Sequence, residues 1–305
     1  MSGTAEVEDL YSAIEDSARL LEVPCSRDKI WPILAAYREA LPQAVIAFRV
    51  ATGVRLAGEL DWRFTIPRDV DPYRIAVASG LTPRTDHPVS QVLEDIQARC
   101  PIGSYGIDFG VVGGFKKIYA FFPPENMQRL STLVESPSMP PGLAEKVGFF
   151  ARHGLDGDKV NLVGVDYPHR TVNVYFGALP DDCLKEESVR AMLRELRLPD
   201  PSEQMLRLGR HAFGIYVTLS WDSPRIERFC FAVMPPDPAA LPIPLEPKIE
   251  SFLRSVPYDG AASRFIYYAA VSSTEQEHYK LQSYYRWQPR MLDQMLLSET
   301  SDSPV

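Results

Sequence analysis

Long apolar runs are missing from this sequence of 305 residues: no stretch approaches the ~18–20 apolar residues that a bilayer-spanning helix needs. The first residues, MSGTAEVEDL, are acidic and lack the basic and apolar regions of a secretory signal. The four cysteines are widely spaced and form no CxxC pair, which is typical of reduced structural thiols. We therefore expect a cytoplasmic protein that binds no membrane.

An excess of positive charge is also missing. The chain has 32 Lys and Arg against 40 Asp and Glu, and its net charge of −8 argues against a nucleic-acid partner. GxxxxGK[ST], GxGxxG, GxSxG, HExxH and DDxxD do not occur, and the five histidines have no metal-ligand spacing. These absences argue against nucleotide-binding loops, serine hydrolases, zinc proteases and two-metal aspartate chemistry.

Five segments that read as paired strands are present. They are rich in Val, Ile, Phe and Tyr, alternate with helical stretches and recur at a nearly regular interval: 44–66, 103–122, 158–177, 211–233 and 263–287. Ten strands in an open sheet would leave exposed edges, which closure removes. The pattern predicts an α+β fold, in which a ten-stranded antiparallel barrel is surrounded by helices.

A barrel of this size is wider than the ~8 strands whose side chains fill the interior, so we expect a lumen that holds the site. We predict one domain over residues 1–297 and a disordered tail over 298–305. The barrel would be complete within one chain, which favours a monomer.

Strand periodicity would place four cations in the predicted lumen. Arg63, Lys117, Arg228 and Lys280 fall on the inward face of their strands, together with Asn173. Cations enclosed together need an anionic partner. A flat sheet would instead leave these side chains in water.

The order of several motifs resembles the ABBA aromatic prenyltransferases of bacterial secondary metabolism and antibiotic biosynthesis. The motifs are GGFKKIYAFFP (113–123), SMPP (138–141), DYPHRTVNVYF (166–176), FCFAV (229–233) and HYKLQSYY (278–285). The resemblance runs from about residue 5 to about 290, and is greatest to soluble geranyltransferases that act on naphthalene polyketides. It implies transfer of a geranyl or dimethylallyl group from its diphosphate to an electron-rich ring, such as a dihydroxynaphthalene or flaviolin.

The resemblance also assigns site residues. Catalysis would depend on Lys117, Arg228, Lys280 and Tyr284. The prenyl diphosphate would contact Arg49, Arg63, Lys117, Tyr119, His169, Asn173, Tyr175, Phe213, Tyr216, Arg228 and Lys280. The aromatic acceptor would lie near Leu162, Gly214, Val233, Tyr267, Gln282 and Tyr284. Phe213 and Tyr216 have opposite parity on one strand, so we predict a bulge that turns both inward.

The metal requirement divides the family that this chain resembles. Asp61 matches the aspartate of the Mg²⁺-dependent relatives, but Arg63 and Arg49 stand where those relatives have small polar residues. Either arginine could pair with Asp61 or neutralise the diphosphate. We therefore predict that Mg²⁺ is dispensable, with Asp61 as its ligand if the ion is used.

Two other functions stay open at this point. One is dimethylallyl transfer to a phenazine or a hydroxyphenyl acid. The other is a non-catalytic, lipocalin-like carrier of a hydrophobic aromatic metabolite. A carrier of a neutral ligand has no reason to keep the four inward cations, which favours the enzyme.

Overall fold

The computed structural model describes residues 3–52, 59–233, 247–258, 266–274 and 277–286. The predicted disordered tail, 298–305, lies outside the described residues. No helix in the described ranges is both long and apolar enough to cross a membrane.

Eleven strands of the described residues form one antiparallel sheet. They are β1 Ile46–Ala51, β2 Leu60–Pro67, β3 Ser104–Gly110, β4 Gly114–Phe121, β5 Gln128–Arg129, β6 Asp158–Asp166, β7 Thr171–Phe176, β8 Gly214–Ser220, β9 Arg228–Val233, β10 Ile266–Ser273 and β11 Glu277–Arg286. The five predicted hairpins are all present.

The sheet closes on itself. Its order is β4-β3-β2-β1-β11-β10-β9-β8-β7-β6-β5, and β4 also pairs with β6. The closing pair joins Lys117 to Asp166 and Phe121 to Leu162. Ten strands therefore complete the barrel, as predicted, while the two-residue β5 attaches to β6 outside the ring. Closure satisfies the backbone groups that would otherwise lie at two open edges.

Ten α-helices of the described residues precede the first hairpin or connect successive hairpins. They are α1 Gly3–Leu20, α2 Arg27–Ala36, α3 Pro72–Ala78, α4 Val92–Arg99, α5 Leu130–Val134, α6 Gly142–Glu145, α7 Val147–Arg152, α8 Glu186–Glu195, α9 Glu203–Gly209 and α10 Pro247–Ser255. Helix α3 shows the local signals well: Asp71 caps it by accepting a hydrogen bond from the Arg74 amide, and Pro72 occupies its first turn.

The hydrophobic core lies between the barrel and these helices. On β2, Trp62 and Phe64 are buried in the same cluster as Ile14 of α1 and Phe252 of α10. The intervening side chains of β2, Asp61 and Arg63, belong to the opposite face, as the two-residue period of a strand requires. The polar face therefore points into the barrel, and this is what positions the site.

A bulge interrupts the β3–β4 pair. Asp108 lies opposite Lys117 and Phe109 lies opposite Phe115, so Lys116 is the extra residue on β4. The extra residue breaks the alternation of faces, and both Lys116 and Lys117 consequently reach the interior. Gly110 leaves space for the side chain of Lys116, since a Cβ at position 110 would lie 2.8 Å from Cε of Lys116.

Candidate active site

A cavity of about 690 Å³ occupies one end of the barrel. Its wall includes five cationic side chains and four carboxylates: Arg49, Lys116, Lys117, Arg228 and Lys280 with Glu59, Asp61, Asp108 and Asp166. The register places these residues near the same end of their strands, since Lys117 pairs with Asp166 on one side of the barrel and Ala51 with Lys280 on the other. We call this the cationic end of the lumen.

Asp61 is held by two cations. Its Oδ2 accepts from Nη2 of Arg49 at 2.7 Å, and its Oδ1 accepts from Nζ of Lys116 at 2.6 Å. Burial opposes ionisation of Asp61, but the charges of Arg49 and Lys116 outweigh burial and lower its pKa. Of the two pairings predicted for Asp61, the one with Arg49 is present.

Asp108 is the centre of a second ionic cluster. Its carboxylate, 1% exposed, lies 2.8 Å from Nη1 of Arg49 and 2.6 Å from Nε of Arg63, and also accepts from the hydroxyl of Tyr119 at 3.0 Å. Burial acts against the charged form, yet the two arginines hold the pKa of Asp108 well below its usual range. Arg63 therefore pairs with Asp108 rather than with Asp61.

Asp166 joins two of the predicted diphosphate ligands. Nζ of Lys117 lies 3.4 Å from its Oδ2, and Nδ1 of His169 lies 2.9 Å from its Oδ1. The side chain of His169 is 64% exposed, at the rim of the cavity. The hydrogen bond and the charge of Asp166 raise the pKa of His169.

Arg228 and Lys280 differ from the other cations of this end, because no carboxylate in the described part of the chain forms an ion pair with either. Arg228 is exposed at the start of β9 and Lys280 lies deeper, on β11. Burial, reinforced by the nearby charge of Arg49, lowers the pKa of Lys280 to about 7. The two side chains are positioned to receive an anion from outside the protein.

Three tyrosines form the aromatic wall beside these cations. Tyr175 stacks on Tyr216 with ring centroids 4.5 Å apart, and Tyr119 meets Tyr175 edge-on at 6.0 Å. The guanidinium of Arg63 lies 3.9 Å from the centre of the Tyr119 ring. Gly164 admits this ring, because a Cβ there would lie 2.8 Å from Cε1 of Tyr119.

The residues predicted to contact the acceptor lie further along the same strands. Gln282 and Tyr284 follow Lys280 on β11, and Leu162 precedes Asp166 on β6, each by an even number of residues and so on the inward face. A strand advances ~3.3 Å per residue, so these positions are some two to four steps from the cationic end. The prediction for Val233 is wrong, because this residue lies five positions after Arg228 and packs with Phe229 and Phe231 in the core between barrel and helices. Gly214 begins β8, and the backbone of Tyr267 pairs with Gln282, while the Tyr267 side chain lies outside the described part.

The predicted bulge on β8 is wrong. Gly214 to Thr218 pair with β9 without interruption, and the β7–β8 register is equally continuous. Phe213 precedes the strand, is partly buried and donates its backbone N–H to Ala232. Tyr216 reaches the lumen by ordinary alternation, and the contact of Phe213 with the prenyl chain stays a prediction.

Sequence reasoning missed Asp108, Asp166 and Lys116. Alternation along 104–110 marks Asp108 as inward, because Tyr105, Ile107 and Phe109 form the apolar face of the same strand. Lys116 required the bulge, which no residue pattern marks.

The residues around Asp61 do not fit a divalent metal. Mg²⁺ takes oxygen ligands in an octahedron, whereas both oxygens of Asp61 accept from cationic side chains. Within the described ranges, no three His, Cys, Asp or Glu residues are grouped as metal ligands. We therefore assign no step to a metal ion.

This chain is similar in sequence to known aromatic prenyltransferases. The family model for aromatic prenyltransferase Orf2 matches residues 5–294. Flaviolin linalyltransferase from Streptomyces virginiae is 54% identical and is aligned over 94% of this chain and 95% of its own. 5,10-Dihydrophenazine-1-carboxylate 9-dimethylallyltransferase from Streptomyces anulatus is 46% identical over 98% of this chain and 99% of its own.

A third relative and two solved structures agree with these matches. The furaquinocin biosynthesis prenyltransferase of Streptomyces sp. (strain KO-3988) is 48% identical over 92% of this chain and 91% of its own. The apo form of the prenyltransferase PriB superposes with a TM-score of 0.53 at 12% identity, covering 92% of this chain and 95% of that one. 5-Dimethylallyltryptophan synthase from Streptomyces coelicolor gives 0.50 at 12% identity, covering 91% and 97%. At such identity the two structures support the barrel fold alone.

Proposed function

We propose, from the premise that this chain belongs to the aromatic prenyltransferase Orf2 family, that it transfers a geranyl group from geranyl diphosphate to a phenolic polyketide ring. The chain is an aromatic prenyltransferase, as its relatives at 46% and 54% identity are, and the carrier hypothesis is set aside. Our preferred acceptor is a dihydroxynaphthalene or flaviolin-type ring. The name of the relative from Streptomyces virginiae, a flaviolin linalyltransferase, supports both a C10 donor and this acceptor class.

One observation carries the proposal: Arg228 and Lys280 face the cavity, and no carboxylate of the described residues pairs with either. A prenyl diphosphate brings roughly three negative charges, which Arg and Lys donors satisfy through charge-assisted hydrogen bonds. We place the diphosphate between these two cations and Lys117. Asn173 and Tyr216, which both face the cavity, would complete the site as donors through the Asn173 amide N–H and the Tyr216 hydroxyl.

Ionisation of the donor would follow from this placement. The C1–O bond breaks, the electron pair stays on the departing diphosphate, and an allylic cation forms. Donors that are already in place stabilise the charge that develops on the leaving group. The faces of Tyr119, Tyr175 and Tyr216 stabilise the cation and exclude water from it.

The acceptor ring then attacks the cation, and one new carbon–carbon bond forms. The ring loses the proton at the attacked carbon as aromaticity returns, and Tyr284 or a water molecule takes that proton. The acceptor would lie against Leu162, Gly214 and Gln282, with Tyr267 beside Gln282. These positions are deeper in the barrel than the diphosphate, so the cation would form between the two substrates.

A C5 donor is the alternative. The relative from Streptomyces anulatus is named as a dimethylallyltransferase of a dihydrophenazine carboxylate, and it is nearly as similar to this chain. Competition between geranyl and dimethylallyl diphosphate in one reaction would decide the donor, since the ratio of the two products reports relative kcat/KM.

Mg²⁺ is dispensable in our proposal. Arg49 and Lys116 supply positive charge beside Asp61, where an ion would otherwise be needed to neutralise the diphosphate. We further propose that the site is complete in a monomer, within one domain over 1–297, and that the enzyme acts in the cytoplasm. Activity at a concentration where light scattering gives the mass of one chain would test the monomer.

The function is tested in one assay. Purified protein is incubated with geranyl diphosphate and 1,6-dihydroxynaphthalene, once with Mg²⁺ and once with excess EDTA, and the products are separated by mass spectrometry. We expect a product that carries one added geranyl group in both reactions. Product with Mg²⁺ alone would contradict the metal proposal, and no product with any prenyl diphosphate or phenol would contradict the function.

Alanine at Arg228 is expected to lower kcat/KM by about a hundredfold, because one preorganised donor to the leaving group is lost. The fold should be retained, since Arg228 is exposed at the start of β9. Arg225→Ala is the matched control, because Arg225 is also exposed and lies three residues earlier, outside the cavity. Equal activity of the two variants would remove Arg228 from the site.

A further inference from the structure

Asp166 places a negative charge at the cationic end, where the proposed substrate is an anion. It is the last residue of β6 and lies directly across the closing strand pair from Lys117. Its side chain is 12% exposed, and its two oxygens face different partners: Lys117 on one side and His169 on the other. A carboxylate at this position repels a diphosphate, so its presence requires a reason.

The two contacts of Asp166 differ in strength. Nζ of Lys117 is 3.4 Å from Oδ2, longer than the ~2.7–2.9 Å of a charge-assisted hydrogen bond. His169 is held at both its ring Nδ1, 2.9 Å from Oδ1, and its backbone N–H, 3.1 Å from the same oxygen. Lys117 is therefore the partner that Asp166 can release, and His169 the one that it keeps.

We propose that Asp166 is the resident counter-ion of Lys117, and that the diphosphate displaces it when the substrate binds. Without substrate, Asp166 is the carboxylate that pairs with Lys117, because Asp108, opposite Lys117 in the β3–β4 pair, is held by Arg49 and Arg63. On binding, Lys117 passes to the diphosphate and Asp166 stays with His169. Asp166 thus acts as a positioning residue that weakens the grip on the diphosphate and eases release of the product diphosphate. This inference rests on the proposed function.

His169 is the second half of this exchange. The hydrogen bond and charge of Asp166 raise the pKa of His169, while Lys116 and Lys117, which face it from β4, lower it. When Lys117 turns to the diphosphate, the arriving negative charge favours the imidazolium further. A protonated His169 then neutralises Asp166 beside the bound anion.

The test measures binding of inorganic diphosphate by calorimetry at pH 8. Asp166→Asn keeps the shape and removes the charge, and we expect its Kd to fall about tenfold, the change that 1.4 kcal/mol produces. Asp158→Asn is the matched control, because Asp158 lies on the same strand, is 63% exposed and pairs with Arg129 outside the lumen. The control should bind diphosphate as the wild type does.

For a second variant, we expect the opposite change in the Kd for diphosphate. The test therefore does not depend on how well Asp166→Asn folds. His169→Gln removes the exposed imidazole, and Asp166 then keeps Lys117 as its charged partner. Diphosphate should therefore bind more weakly to this variant than to the wild type. A pH titration by NMR adds a readout that a merely structural role would not move: the pKa of His169 should fall in Asp166→Asn.

The outcomes separate the two proposals. Unchanged or weaker diphosphate binding by Asp166→Asn, or tighter binding by His169→Gln, overturns the role of Asp166 while the wild type still binds. A wild-type protein that binds neither inorganic nor prenyl diphosphate overturns the proposed function, and the role of Asp166 with it.

Discussion

Methionine in place of Lys280 is expected to lower turnover about a thousandfold, the upper range for losing one preorganised donor, and at the same time to raise the melting temperature. Methionine has nearly the same length but no charge. Lys280 lies among cations with no carboxylate of the described part beside it, so its charge serves the substrate and opposes the fold. Turnover with geranyl diphosphate and thermal unfolding without ligand measure the two effects.

The gain in stability should depend on pH. The pKa of Lys280 is about 7 in the folded protein, below the ~10.4 of an unperturbed lysine, so the unfolded chain binds more protons between these values. The stability of the wild type consequently rises with pH across this window, and the destabilisation caused by the charge of Lys280 is largest at pH 7 and below. The advantage of Lys280→Met should therefore shrink from pH 7 toward pH 10.

Lys185→Met is the matched control, because Lys185 is exposed on the surface beside Asp182. It should change neither turnover nor the slope of stability between pH 7 and pH 10, because the hydrogen bond and charge of Asp182 raise the pKa of Lys185 and keep it charged in this window. A Lys280→Met protein that is less stable than wild type at pH 7 would mean that an anion already neutralises this lysine. Turnover close to wild type would exclude Lys280 from the diphosphate site.

Alanine in place of Asp108 is expected to lower the free energy of unfolding by about 3–5 kcal/mol, the cost of leaving buried charges unpaired. Asp108 accepts from Arg49, Arg63 and Tyr119, so its loss leaves two guanidinium groups and a hydroxyl in the lumen without this partner. Urea unfolding followed by circular dichroism measures the change.

The pH dependence of this contribution has the opposite sign to that of Lys280. The pKa of Asp108 is lowered in the folded state, so its contribution is present at neutral pH and is lost as the pH falls below about 4. Asp156→Ala is the control, since Asp156 is exposed. A loss below about 1 kcal/mol for Asp108→Ala, typical of a surface ion pair, would show that water solvates the two arginines.

The sequence predicted the architecture because the two-residue period and the repeat are both regular. Alternation on β2 separated Trp62 and Phe64, which face the helices, from Asp61 and Arg63, which face the lumen. One closed ring then followed from avoiding exposed strand edges. The grouping of four cations depended on that ring. Lys117, Arg228 and Lys280 line one cavity, whereas Arg63 is not among its lining residues and pairs with the buried Asp108.

The ionic partners could not be predicted in the same way. Whether Arg63 binds Asp61 or Asp108 depends on side-chain directions across neighbouring strands, and a β2–β3 register one residue different would turn Asp108 to the opposite face. The entry of Lys116 into the lumen depends on a bulge, and the bulge predicted to turn Phe213 inward is absent from β8. Irregularities of this kind are set by the fit of the whole ring, which local sequence does not encode.

The pairing of β1 with β11 has a consequence for how the enzyme is made. The register joins Ala51 to Lys280, about 230 residues apart in the chain. The first strand of the barrel therefore cannot pair with β11 until nearly all of the described chain has been synthesised. A nascent chain that still lacks β11 has an open ring and lacks Lys280, Gln282 and Tyr284. Contacts between such distant segments slow folding. Prenyl transfer should accordingly begin only after β11 has been synthesised and has paired with β1, with no activity from translation products that end before β11.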